Sequence, residues 1–370
     1  MVHLRSLGVD DLAAVFELPR RLYANDPAWV APVEAMEARR IAGFLKRGRL
    51  HLWAAERDGV VVGTISALLD EGYNEHKGER VAWFGYFECI DDPEVAHALF
   101  EQAQEQARAW RCVQLRGPRN LTRFECMGLS VEGHETLPPF MQAHHGRWLE
   151  ALVVAEGFEP HHDALAYDTP VSDELGYQRE LPEPLKSKAD GCDIEGLTIR
   201  AARRLRMGRD LRDAHVVLNE AFATVPDIAP MPLSQWLALG RTYLTIADPR
   251  LIQIARVSGR PIAFAATFPD LNEAIQAMHG DVMPLGWLRT ALALRTIHTA
   301  SFKLIGVVPD YRSTGVHAKL IDEVVRGVKE AGYTRLEASV IDSRNAPMRA
   351  VVEGAGMSIY RRWRVYQREV

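Results

Sequence analysis

Little in this sequence ties the chain together covalently. Its 370 residues include four cysteines, Cys89, Cys112, Cys126 and Cys192, widely scattered and without a Cys-x-x-Cys pair. A disulfide framework and a zinc knuckle are therefore not expected. Long apolar runs are missing too. The stretch from Leu285 to Val308 is interrupted by Arg289, Arg295, His298 and Lys303, so no membrane span is expected. The N-terminal residues carry no apolar signal core, which makes a cytoplasmic location the expectation. No charge of one sign dominates. A net charge of −5 and a pI of about 6.2 argue against nucleic acid or an anionic membrane as partner. With 47% hydrophobic and 25% charged residues, the composition is that of an ordinary globular protein. The length suggests two domains.

Metal and serine chemistry also find little support. His144-His145 and His161-His162 could be grouped with Cys126 and His134, but the spacings match no metal motif, and no metal is expected. The segment Gly128 to Gly133 looks like a nucleophile elbow, yet it has one residue too many between Ser130 and the second glycine.

What is present is a strand, a tight turn and a helix between Phe302 and Lys329. Leu304 to Val308 is apolar and rich in β-branched residues, as buried strands are. Pro309 ends it, and Arg312-Ser313-Thr314-Gly315 makes a polar turn. Leu320, Ile321, Val324, Val325 and Val328 then recur at helical spacing. Such a turn gathers unpaired N–H groups and the positive end of a helix dipole at one spot, which suits a phosphate. A second strand, Leu336 to Ile341, follows. Then come a turn with Asn345, a short helix over Arg349 to Glu353, the stop Gly354-Ala355-Gly356, and a last strand with Tyr360, Trp363 and Tyr366.

Arg312-x-x-Gly315-x-His317 resembles the Arg/Gln-x-x-Gly-x-Gly/Ala loop of the GNAT superfamily, the acetyl-CoA-dependent N-acetyltransferases. The order of elements after it is similar to the family's as well. The resemblance implies that Arg312, Ser313, Thr314, Gly315, Val316 and His317 hold the pyrophosphate of acetyl-CoA or another acyl-CoA, bound as co-substrate. It implies that Asn345 faces the pantetheine arm, and that a backbone N–H of Val307 or Val308 polarises the thioester carbonyl. His317 departs from the family's small third residue. Val352 falls where many members place a tyrosine that protonates the leaving thiolate.

The elements also repeat. Gly59 and Gly259 mark equivalent hairpins. Gly157 and Gly356 mark equivalent helix stops, followed by Tyr167 and Tyr366 on the terminal strands, and Arg119-Asn120 echoes Arg344-Asn345. The expected fold is therefore α/β. Two tandem GNAT-like domains would each have a mixed, mostly antiparallel central sheet flanked by helices. The boundaries read as an N-terminal domain over 1–168, a linker over 169–196 and a C-terminal domain over 197–370. Two segments have no counterpart in the repeat, about 121–146 and 269–300, and both are expected to border one cleft. The first half has Asp91, Asp92 and Glu94 where the second has its phosphate turn. Those carboxylates would repel a pyrophosphate, so only the C-terminal half should bind acyl-CoA.

The expected activity is N-acyl transfer to a small-molecule or aminoacyl amine. Glu337, His298 and Asp310 are the candidate bases, and Tyr360 or Tyr366 the candidate replacement acids. Each also has a plain structural reading, as an ion-paired, solvated or packed residue. The alternative function is a catalytically inactive tandem GNAT-fold protein that serves as a binding or interaction module. A homodimer is left open.

Overall fold

A computed structural model describes residues 1–46, 49–172, 180–223, 225, 227–243, 247–277 and 293–370. One mixed sheet of thirteen strands runs through it. In the first half the strands are β1 (His3–Ser6), β2 (Leu50–Arg57), β3 (Val60–Leu69), β4 (Val81–Cys89), β5 (Gln114–Gly117), β6 (Leu129–Glu132) and β7 (Glu159–Pro170). The second half adds β8 (Leu197–Ala201), β9 (Ile252–Val257), β10 (Arg260–Pro269), β11 (Thr299–Val307), β12 (Arg335–Asp342) and β13 (Ser358–Glu369). Two pairs, β4/β5 and β11/β12, are parallel; the other neighbours are antiparallel. The hairpin signals are present as turns. Asp58-Gly59 has φ of 53° and 75°, and Ser258-Gly259 has 50° and 86°. Two successive positive values make the tight turn whose twist matches its strands.

The strand order is β1-β2-β3-β4-β5-β13-β7-β12-β11-β10-β9-β8, with β6 pairing β13. The terminal strands have been exchanged. The chain's last strand, β13, lies against β5 of the first half, and β7 lies against β12 of the second. The cores follow the exchange. Tyr366 packs with Phe84, Leu99, Phe100 and Leu152 of the first half. Tyr167 packs with Val352, Ile321 and Phe302 of the second. The expected boundary at 168 falls near the end of β7, but the two sides of that boundary each complete the other's sheet.

Helices cover both faces. In the first half α1 (Ala13–Leu22), α2 (Glu34–Leu45), α3 (Glu71–Lys77), α4 (Pro93–Ala109) and α5 (Trp148–Ala155) surround the sheet. The segment expected to be a linker contains α6 (Glu183–Asp190). In the second half α7 (Met207–Phe222) packs on β10 and β11, with α8 (Leu233–Tyr243) beside it and the short α9 (Leu271–Ala277) after β10. On the other side α10 (Val316–Glu330) packs on β9, β10 and β11. It buries Leu320, Val324 and Val328, one stripe at helical spacing. The helix α11 (Ala346–Gly354) follows β12. Among the described residues no helix is long and apolar enough to cross a membrane.

Candidate active site

The site begins where β11 and β12 part. They pair from Thr299↔Arg335 to Phe302↔Ala338. Lys303 is then an extra residue in β11, because Leu304 faces Ala266 while Phe302 faces Thr267. On β12 the register against β7 shifts between Ala338 and Ile341. A bulge in one strand and a shift in its neighbour, at one level, bend the two strands apart. The result is a wedge-shaped gap with Lys303 and Ser339 at its vertex.

Polar groups gather at that vertex. Glu337 is 0% exposed. Its Oε2 accepts from the Ser301 hydroxyl and lies 3.5 Å from the Lys303 Nζ. Lys303 also donates to the Ser339 Oγ at 2.7 Å. The other carboxylate oxygen, Oε1, has no hydrogen-bond partner among the described residues. A buried oxygen in that condition is costly unless something else uses it. Asp270 stands behind the cluster, its Oδ1 accepting from Phe140 N–H at 2.9 Å and Asn272 N–H at 3.1 Å. Burial pushes its carboxyl up to about 7; Lys303 opposes the shift, and Glu337 and Glu273 add to it. Tyr360 is held well above the ordinary tyrosine range by burial and by the charges of Glu337 and Asp270. The Arg335 guanidinium lies over its ring at 4.7 Å.

The candidate residues are thus partly brought together. Glu337 lies at the vertex, and Tyr360 is near enough to feel its charge. His298 lies away from it. It is exposed, donates its N–H to Glu273 at 2.6 Å, and precedes Lys303 by five residues, roughly 16 Å along the strand. Asp310 is exposed in the turn after the gap. Tyr366 lies in the other half, its hydroxyl 2.5 Å from Glu150, so it cannot replace the missing acid. Val352 is buried in the core of the second half.

The turn at the open end of the gap is built as a helix entry. Thr314 Oγ1 donates to Tyr311 O at 2.8 Å, and Gly315, at φ 82°, begins α10. Val316 and His317 occupy the first two positions of α10, where helix N–H groups have no intrahelical partner. Ser313 lies exposed beside them. The residues of the turn also have partners within the protein. The Val308 N–H donates to Ile262 O at 2.9 Å, so it is not free to polarise a carbonyl, which leaves Val307, opposite Ala263, as the other residue of that expectation. The bulge at Lys303 is where β11 turns away from its neighbour. Arg312 points away from the turn, donating to Ala221 O at 2.7 Å at the end of α7. Gly315 is required by the protein itself. A Cβ there would lie 2.5 Å from the Lys188 carbonyl oxygen, because α6 lays Leu185 and Ala189 on Ala318. The half-buried His317 is lowered by burial and by Lys188. Asn345 caps α11, accepting from Met348 N–H at 3.2 Å, and faces the cavity at the gap.

That cavity has a volume of about 200 Å³ and opens to solvent. One arm runs under α7 and α8. The other runs between the halves, past Phe124, Met127 and Met141 of the first insertion and past His162. The described part of the second insertion touches the first. Asn272 Nδ2 donates to Pro138 O at 2.9 Å and Pro139 O at 3.2 Å. Met278, Met283 and Trp287 lie outside the described residues.

In the first half the corresponding gap is filled. A Cβ on Gly85 would lie 2.3 Å from Arg119 O. Arg119 N–H donates to Phe84 O at 2.7 Å, and Tyr86 N–H donates to Asn120 Oδ1 at 2.9 Å. Asp92 caps α4, and Arg57 pairs with Asp92 and Glu94. The chain's own 117–120 segment occupies the space a cofactor arm would need. Of the histidines, His161 and His162 approach Asp227, with ligand atoms within 4.8 Å of one another. That carboxylate is already paired with Arg344 and Arg116. Cys126 and His134 are elsewhere: Cys126 N–H donates to Met141 O, and the His134 ring packs near His144.

Lys303, Ser301 and Ser339 were not anticipated. Their signal was available: polar residues at alternate positions in strands otherwise apolar enough to be buried on both faces.

No family model matches the chain. It is 26% identical to "Protein YghO" of Escherichia coli (strain K12) over 98% of this chain and 94% of that protein. It is also 26% identical to "Bacterial ceramide synthase" of Caulobacter vibrioides, over 97% and 94%. Among solved structures, a tandem GNAT protein from the clavulanic acid biosynthesis pathway superposes with a TM-score of 0.56 at 15% identity, covering 100% of this chain and 98% of that one. The fold is that of the GNAT acetyltransferases, present in tandem.

Proposed function

We propose that this protein is an acyl-CoA-dependent N-acyltransferase whose acceptor is an amine carried on an apolar chain. The observation that supports it most is the open gap in the second half, with Glu337 Oε1 unbonded among the described residues at its vertex and a mainly apolar cavity beyond. The donor's pyrophosphate would rest at Ser313 to His317 and its pantetheine arm along the gap, beside Asn345. In the reaction the amine nitrogen attacks the thioester carbonyl, the carbon–sulfur bond breaks, and the thiolate takes up a proton. Glu337 accepts the proton that the ammonium must lose before attack. Lys303, held by Ser339 and Glu337, offers positive charge where the carbonyl oxygen becomes negative. Tyr360 keeps its proton at neutral pH and is a proton source near the vertex. Ceramides are N-acylated long-chain amines, so the name of the Caulobacter relative agrees with a cavity of this kind.

Val352 favours a second reading, an acyl-CoA binder without turnover. One experiment separates them. The protein is mixed with palmitoyl-CoA and a long-chain primary amine, and both melting temperature and free thiol are followed. The expected result is a raised melting temperature and thiol release. Glu337→Gln should keep the shift and lose about 10²–10⁴-fold in rate. A shift without thiol release in the parent supports the idle binder, and no shift with any acyl-CoA refutes both.

A further inference from the structure

The cavity has two arms of different chemistry, and they meet at the vertex. The arm under α7 and α8 is walled by Leu211 and Ala214 of α7, Trp236 and Gly240 of α8, and Ile252 and Phe264 of the sheet. Its one carboxylate among the described residues, Asp210, is already bonded to Arg200 and to the Arg203 N–H, so it offers no charge to a guest. The indole N–H of Trp236 is likewise used, donating to Leu211 O at 2.8 Å. No described residue that lines this arm asks for a polar partner. The arm between the halves is polar: His162, Asp342, Asn345 and Arg123 line it, and the His162 Nδ1 has no hydrogen-bond partner among the described residues.

The length of the apolar arm follows from the strand pairing. Leu304, beside the vertex, faces Ala266, and Ala266 faces Ile252. Two strand spacings span about 10 Å, and the arm then rises toward α8. An acetyl group would fill only its mouth. At the far end Gly240 has no side chain, and a Cβ there would meet the Leu211 methyls at 2.9 Å and 3.0 Å.

Resting on the acyltransferase reading above, we propose that this arm holds the acyl chain of the donor. In this assignment Gly240 and Trp236 set the longest chain accepted. The acceptor's amine end then lies in the arm between the halves, with its apolar chain along Phe124, Met127 and Met141. An acyl chain is apolar beyond its carbonyl, and it continues directly from the thioester at the vertex, so it fits the arm that has no free polar group among the described residues. The enzyme would select long-chain over acetyl donors by apolar burial alone.

The test is a series of acyl-CoAs from acetyl to palmitoyl, with affinities measured by calorimetry for the parent, Gly240→Phe and Leu239→Trp. Leu239 lines the same arm, so the second variant serves if the first does not fold; unliganded melting curves report folding. The parent should bind palmitoyl-CoA at least tenfold more tightly than acetyl-CoA. Each folded variant should lose at least tenfold in that ratio. An unchanged ratio in a folded variant overturns the proposal. So does a variant that alters the preferred length of the amine while leaving the acyl preference intact. Equal binding of all acyl-CoAs by the parent overturns the measuring arm but leaves the acyltransferase reading standing, whereas no binding of any acyl-CoA removes that reading itself.

Discussion

Exchange of the terminal strands makes a crossed prediction about stability. Tyr366 is near the end of the chain, yet it is 0% exposed in the core of the first half, and its hydroxyl is bonded to Glu150. Tyr167 is in the first half by sequence and 1% exposed in the core of the second, with its hydroxyl 3.0 Å from Glu353. Replacing either by alanine removes a large buried ring and leaves a cavity. Substitutions of that kind cost about 3–5 kcal/mol. The lost hydroxyl contacts add little, because Glu150 and Glu353 are partly exposed to water. The loss is a large fraction of a typical domain's 5–15 kcal/mol, so local opening should be easy to detect. Hydrogen exchange read peptide by peptide is the assay. Tyr366→Ala should speed exchange in α4 and β5, residues 93–117, more than in β11 and β12. Tyr167→Ala should do the reverse, over 299–342. If each substitution loosens the half to which it belongs in sequence and spares the other, the strand exchange is wrong.

Two further outcomes are expected. Calorimetric titration should find about one coenzyme A site per chain, because residues 117–120 fill the gap of the first half and carboxylates cap α4; two equal sites would overturn this. The Asp270 carboxyl, held at about 7 when folded, has an ordinary value near 3.9 when unfolded. The folded state therefore retains a proton the unfolded state has lost, and stability should fall as pH rises from about 4 to about 7, then level off. Urea unfolding across that range should show Asp270→Asn without this decline, gaining at most about 1.4 kcal/mol per pH unit relative to the parent; identical slopes would remove the assignment.

The sequence alone determined the local elements and their order. Asp58-Gly59 and Ser258-Gly259 specify hairpins because only tight turns with positive φ join such strands. The stripe from Leu320 to Val328 specifies a helix because its period does. Glu337 and Tyr360 could be named as candidates from their places on the last strands, and the repeat was legible in Gly59, Gly157, Gly259 and Gly356. Tertiary structure decided what those elements pair with. A strand's sequence sets which of its faces is apolar, not which edge it joins, so β7 and β13 could exchange partners without any change in pattern. The same limit hid the vertex. Lys303, Ser339 and Asp270 lie on three separated segments, and only the bulge in β11 and the contact between the two insertions bring them together. Gly315 shows both levels at once: the sequence marks a turn into a helix, but the packing of α6 makes a side chain there sterically impossible without movement of the Lys188 carbonyl.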